Sequence, residues 1–190
     1  MILLARHGET ADNRERRFQG QGPVALNELG REQARALAAA VVAHDPPIAA
    51  LYASPVPRAR ETAGIVAEAT GLEPVFDARF AETDTGDWTG LMMADVERDD
   101  PDGWAGYHRG GAWRFPGGES LVEQTERVVA GLDDIRAARA ASDAPDAPVL
   151  VVCHRGVIRV ALCHRDGPFP ASLERFHDIA VDNGSLVTYG

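Results

Sequence analysis

Five short apolar runs punctuate the chain: ILLA at 2–5, AALYA at 49–53, PVF at 74–76, VLVVC at 149–153 and SLVTY at 185–189. Each is bounded by Pro, Gly or Asp, and short runs with such boundaries predict buried strands. Between them the period changes. After Asn27, read as an N-cap, ELGREQARALAAAVVAH places Ala34, Leu37, Ala38, Val41 and Val42 at helical spacing. Ser120 and Glu123 form a capping box that opens a second strong helix, with Val122, Thr125, Val129 and Leu132 as its predicted apolar stripe. Strands alternating with helices predict an α/β fold, a three-layer α/β/α sandwich around a mainly parallel central sheet.

Two stretches lack either period. Residues 99–118 carry Trp104, Tyr107 and Trp113, which predicts an ordered loop or lid rather than a tether; 140–148 reads as a surface turn. Asp99, Asp100 and Asp102 lack the downstream ligands of a metal loop and are interrupted by Pro101, so a solvated loop is expected.

Composition narrows the function. A chain of 190 residues with 45% hydrophobic content can bury one sizeable core, so a single domain over 1–190 is expected, and no internal repeat is visible. Lys and Arg total 19 against 29 Asp and Glu, and the formal charge of −10 opposes nonspecific binding of nucleic acid or an anionic membrane. An anionic ligand must therefore be caught by a local basic pocket. No apolar run approaches the roughly 18 residues of a membrane span, and the N-terminus lacks a signal-peptide layout, so a cytoplasmic protein is expected. Cys153 and Cys163 form no disulfide framework. An exposed sheet edge would leave room for a homodimer.

The candidate chemistry sits where the apolar runs end. In open parallel sheets, ligands bind beyond the carboxyl ends of the strands. The first such end carries Arg6, His7, Gly8, Glu9 and Thr10; the second Ser54, Pro55 and Arg58; Glu82 follows the third; the fourth carries His154, Arg155 and Gly156. Folding would collect two histidines, several arginines and a carboxylate on one edge. A phosphoryl group suits that set, because its oxygens call for several fixed donors and Arg binds them bidentately. Gly8 would let the backbone approach closely, and helix N-termini after His7 and His154 would add amide donors.

Five ordered motifs carry a resemblance over nearly the whole chain, from Leu3 to about Ser185: RHGET at 6–10 with Asn13, Arg17, Gln19 and Gly20 behind it, SPVPRARETA at 54–63, FAETDTGDWTG at 80–90, PGGES at 116–120 and CHRGVIR at 153–159. With them the chain resembles the histidine phosphatase superfamily, also called the phosphoglycerate mutase-like family. The resemblance implies that His7 is the nucleophile that becomes a phosphohistidine, that Arg6, Arg58 and His154 surround the phosphoryl oxygens, and that Glu82 is the general acid, its pKa raised beside a phosphate dianion. Asn13 and Gly20 match substrate-contacting positions, as does Gln19 more weakly. A cationic cage of this kind implies no metal and no other cofactor.

Departures from the family pattern stay in view. Pro23 and Ala25 stand where the family carries an Asp and a Pro, Glu61 stands where glutamine is common and reads as a surface change, and Arg155 stands where many members have glycine. Arg155 would either reach the ligand or cap its helix. Glu9, Glu119 and Asp84 compete with Glu82 as acids. His7, Cys153 and His154 match no usual zinc spacing. His44, His108 and His164 read as surface or helix-end residues, and Met92, Met93 and Trp88 as packing. The short chain and compact ETDTGDWTG are similar to the phosphatase branch and imply a phosphomonoesterase acting on a small phosphorylated metabolite, with mutase-type transfer as the alternative and a noncatalytic phosphate-binding module behind it.

Overall fold

In a computed structural model, which describes residues 1–111 and 113–190, the five apolar runs form one sheet. Its strands are β1 (Ile2–Arg6), β2 (Ala50–Ala53), β3 (Pro74–Phe76), β4 (Val149–Cys153) and β5 (Leu186–Thr188), in the order β3-β2-β4-β1-β5. The pairs β2/β3, β2/β4 and β1/β4 are parallel, and β5 runs antiparallel to β1. Registers within the parallel block align the strand ends: Arg6 lies opposite Cys153, and Ala53 opposite Val152. The residues that follow, His7, Ser54 and His154, therefore leave the sheet side by side.

Seven helices accompany the sheet among the described residues: α1 (Ala11–Glu15), α2 (Glu28–Val42), α3 (Pro57–Thr70), α4 (Met93–Asp99), α5 (Pro101–Arg109), α6 (Leu121–Ala140) and α7 (Arg155–Asp166). Strand alternation divides the core in two. Leu3, Ala5, Leu150 and Val152 face α2 and α3; Ile2, Leu4, Val149 and Val151 face α6 and α7. Helices on both faces make the three layers expected. Leu4 and Leu150 are fully buried, and truncating either to Ala would cost about 2–5 kcal/mol through lost transfer energy and a cavity.

Two expectations need correction. The buried stripe of α6 is Leu121, Thr125, Val128, Leu132 and Ile135, so Val122 and Val129 fall on its flank. Gln124 shares that buried face, and counting only apolar residues shifted the stripe. The stretch 99–118, described except for position 112, is ordered as expected, but Pro101–Arg109 is helix rather than loop. Asp100 accepts a hydrogen bond from the Gly103 amide and Pro101 occupies the first turn, together starting α5. Tyr107 then packs with Phe18, Trp88, Val96 and Phe115 in a third apolar cluster, with Trp104 and Trp113 against it. Asp99 pairs with Arg98.

Candidate active site

The backbone of His7 is pinned on three sides. Its amide donates to the Cys153 carbonyl at 3.0 Å, its carbonyl accepts from the Asn183 side chain at 3.0 Å, and the next amide, Gly8, donates to Thr62 Oγ1 at 3.2 Å. Gly8 has a different purpose from the one expected. A Cβ there would overlap the Gly30 carbonyl in the first turn of α2, so this glycine admits a helix rather than a ligand.

The ring is oriented as tightly as the backbone. Nδ1 lies 2.7 Å from the Gly8 carbonyl oxygen, which can only accept, so Nδ1 carries the proton. Nε2 is left with a lone pair and accepts from Arg58 Nε at 3.2 Å. Burial, then the charges of Arg58 and Arg6, hold the His7 pKa well below the usual histidine value, so the imidazole is neutral at physiological pH.

Arg58, on α3, is completely buried. Its remaining donors bond the Gly20 carbonyl at 2.7 Å and the Gly22 carbonyl at 3.3 Å. Gly20 takes a φ of +49°, which turns its carbonyl toward the guanidinium at a conformation side chains rarely adopt. Arg6 donates to the Val181 carbonyl at 2.7 Å, while its buried Nε has no partner among the described residues. Desolvation, then repulsion from Arg155, pulls the Arg6 pKa down to about 10, still cationic at neutral pH. The His154 ring centroid lies 5.1 Å from that of His7; its Nε2 is 2.7 Å from Ser54 Oγ, and its buried Nδ1 has no partner among the described residues. Burial, then Arg58, keeps His154 neutral as well.

These residues border or back a cleft with about 570 Å³ of empty space, counting its open mouth. Arg6, His7, Asn13, Gln19, Gly20, Glu82 and Arg155 line it, whereas Arg58 and His154 lie behind His7 and do not. That separation divides the expected phosphoryl cage into a lining part and a supporting part. Asn13 Oδ1 accepts from Thr10 N at 3.2 Å and from Asn183 at 3.1 Å, and Gln19 Oε1 accepts from Thr10 Oγ1 at 2.9 Å. Glu82 is half-buried: Oε1 accepts from Thr83 N at 2.9 Å and Oε2 from Gly156 N at 3.3 Å. Arg127 fixes the segment by donating to the carbonyls of Arg79, Ala81 and Glu82.

The competing acids are engaged elsewhere. Glu119 pairs with Arg127, Glu9 with Asn27, and Asp84 accepts from Gly86 N. Glu61 is no surface change: it accepts from Leu26 N and pairs with Arg31, tying the 23–26 loop to α3. Arg155 is no helix cap, since a guanidinium offers no acceptor to the free amides of α7. Among the described residues no group of three or more His, Cys, Asp or Glu is placed to hold a metal, and burial pushes the Cys153 thiol pKa up. Sequence reasoning missed Asn183, Thr62, Thr83 and Phe176, whereas Tyr107 and Phe115, which also line the cleft, come from the 99–118 stretch singled out in the sequence. The DNGS turn before β5 was the available signal for Asn183.

A neutral imidazole whose lone pair is on Nε2, in an arginine-lined cleft at the carboxyl edge of a parallel sheet, fits a phosphoryl-transfer protein of the covalent-histidine class. Comparison with known proteins agrees: the model of the histidine phosphatase superfamily (branch 1) matches residues 2–190, and the chain belongs to that family. Glucosyl-3-phosphoglycerate phosphatase of Mycobacterium tuberculosis is 38% identical over 160 residues, covering 83% of this chain and 71% of the relative. Phosphoserine phosphatase 1 of Hydrogenobacter thermophilus is 30% identical over 188 residues, covering 97% and 83%. The solved structure of a mycobacterial glucosyl-3-phosphoglycerate phosphatase with VO3 superposes with a TM-score of 0.84 at 32% identity, covering 97% of this chain and 90% of that one.

Proposed function

We propose that this protein is a phosphomonoesterase that hydrolyses a small phosphorylated metabolite through a phosphohistidine on His7. The observation that carries the reading is the fixed tautomer: Nδ1–H is committed to the Gly8 carbonyl, which leaves the ring's one lone pair on Nε2, held by Arg58 Nε at 3.2 Å, in a residue that lines the cleft. In the proposed reaction Arg58 Nε gives up its hydrogen bond to Nε2, Nε2 attacks phosphorus in line, the P–N bond forms as the ester P–O bond breaks, and the leaving oxygen takes a proton from Glu82. Water then attacks the phosphohistidine, giving its proton back to Glu82 and releasing inorganic phosphate and neutral His7. Arg6 meets the phosphoryl oxygens from the lining. Arg58 and His154, packed behind the ring, hold its position and carry charge or dipole toward the same oxygens as they become more negative. Asn13, Gln19 and Gly20 complete the wall around the ester.

Phosphatase relatives at 38% and 30% identity, and a structural neighbour solved as a phosphatase with VO3, support hydrolysis. The Arabidopsis phosphoglycerate mutase-like protein 4, at 33% identity, keeps mutase-type transfer as the second reading. Among the described residues no helix is long and apolar enough to cross a membrane, and the two free, buried cysteines suit a cytoplasmic setting. The test is release of phosphate from p-nitrophenyl phosphate in EDTA. Wild type should turn over and His7→Ala should lose about 10³-fold or more; unchanged activity in the variant would remove the nucleophile. Interconversion of 2- and 3-phosphoglycerate faster than phosphate release would favour the mutase.

A further inference from the structure

A monophosphate needs few cations, yet four arginines line this cleft, Arg6, Arg17, Arg155 and Arg159, against one acidic lining residue, Glu82. They gather in a chain of formal charge −10. Two are spoken for. Arg6 stands beside His7, and Arg17 pairs with Glu15 and donates to the Gly90 carbonyl. Arg155 and Arg159 lie on α7, farther from the nucleophile in sequence and on a different wall.

Their placement is unfavourable for the helix alone. They are spaced four residues apart, so the like charges share one face, and Arg155 is the first residue of α7, at the positive end of its dipole, with no acidic residue in the first turn. Arg155 makes no hydrogen bond or ion pair among the described residues, although the cleft rim is partly buried there. Arg159 uses its Nε on the Ile179 carbonyl at 2.8 Å. Repulsion from Arg155 contributes to lowering the pKa of both Arg6 and Arg159, after burial, so the guanidinium groups feel one another across the cleft. An adjoining lobe with about 600 Å³ of empty space shares Arg6, Asn13, Arg17, Met93 and Arg155 with the cleft; Glu9 and Asp12 line the lobe and not the cleft, so the anion-favouring side of Arg155 is the cleft side, toward Arg159.

We propose that Arg155, supported by Arg159, is a specificity residue that reads a second negative charge, so that the substrate is a phosphomonoester whose alcohol portion carries another anionic group. This rests on the phosphatase reading. An anion between the two guanidinium groups removes their mutual repulsion and satisfies the helix end. The shared chemistry is a carboxylate or a second phosphate, and the two are separable with defined pairs. One pair is 3-phosphoglycerate against glycerol 3-phosphate; the other is fructose 1,6-bisphosphate against fructose 6-phosphate.

The readout is the ratio of kcat/KM within each pair, in wild type, Arg155→Gly and Arg155→Lys. Wild type should prefer the additional anion in at least one pair. Arg155→Gly should lower that ratio about 10- to 100-fold, with partial rescue in Arg155→Lys. The pair whose ratio collapses identifies the anion. No preference in wild type, or ratios that Arg155→Gly leaves unchanged because both members fall together, overturns the proposal while leaving the phosphatase intact. The same ratios read as Kd by calorimetry in His7→Ala, with and without Arg155→Gly, do not require turnover. Failure of catalysis is thus distinguishable from failure of the anion assignment.

Discussion

The arginines of the cleft and those of the outer surface are the same residue type in opposite circumstances. On the surface, Arg98 pairs with Asp95 and Asp99, Arg136 with Asp133, and Arg165 with Asp166, each side chain wet and each partner a neighbour in sequence. Behind the cleft, Arg58 is buried with no carboxylate and spends its donors on His7 Nε2 and two loop carbonyls. Arg6 has one carbonyl and a buried orphan Nε. Carbonyl dipoles and a neutral ring hold a guanidinium in place without neutralising it. The surface arginines are electrostatically finished, whereas the inner ones keep their charge for a ligand.

That contrast can be broken experimentally. Arg58→Ala should lower kcat on p-nitrophenyl phosphate about 10²- to 10³-fold, and Arg58→Lys should not restore it, because an ammonium cannot span His7, Gly20 and Gly22 at once. Thermal unfolding run in parallel separates a lost fold from a lost charge. Next in size is Gly156→Ala. Its Cβ would overlap Glu82 Oε1 and crowd Thr83 Oγ1, displacing the proposed acid, so kcat should fall about 10- to 100-fold while inorganic phosphate still raises the melting temperature.

The pH dependence of stability sharpens the comparison further. His7 and His154 have folded pKa values depressed by burial and by Arg58, so below the unfolded value of about 6.5 the unfolded chain binds protons that the folded chain refuses. Stability is therefore fully present above that pH and declines as pH falls below it. Each group contributes a slope of about 1.4 kcal/mol per pH unit. Urea midpoints at pH 7.5 and 5.5 measure it, and His7→Ala should reduce the slope by about one group's share. A flat profile would mean that the pair is not held neutral. Smallest of all is Arg98→Ala, whose exposed pairs should leave both kcat and melting temperature indistinguishable from wild type.

β1 and β4 were legible because they are buried on both sides and read as continuous apolar runs, and both begin where expected; β3 and β5, at the sheet edges, were read as buried strands but hold no buried residue. Helix α5 was not, because Gly103 and Gly106 interrupt its pattern and its aromatic residues look like a loop's. Tertiary packing overrides that weak propensity: a Cβ on Gly106 would overlap the Trp113 ring, so the glycine is where α5 meets the aromatic cluster. Glu61 misled for a similar reason, since a carboxylate on a helix looks solvated until a loop amide from Leu26 is folded onto it.

The amino-acid order alone determined which residue types end each strand, and hence that His7, Ser54, Glu82 and His154 could meet at one edge, since parallel topology brings like ends together. Only the tertiary structure decided which of them face the cleft and in what state. The His7 tautomer depends on a carbonyl one residue away and a guanidinium 51 positions later. Its neutrality depends on burial beneath elements scattered along the whole chain. Burial and electrostatics sum over neighbours in space, and a one-dimensional pattern contains no distances over which to sum them.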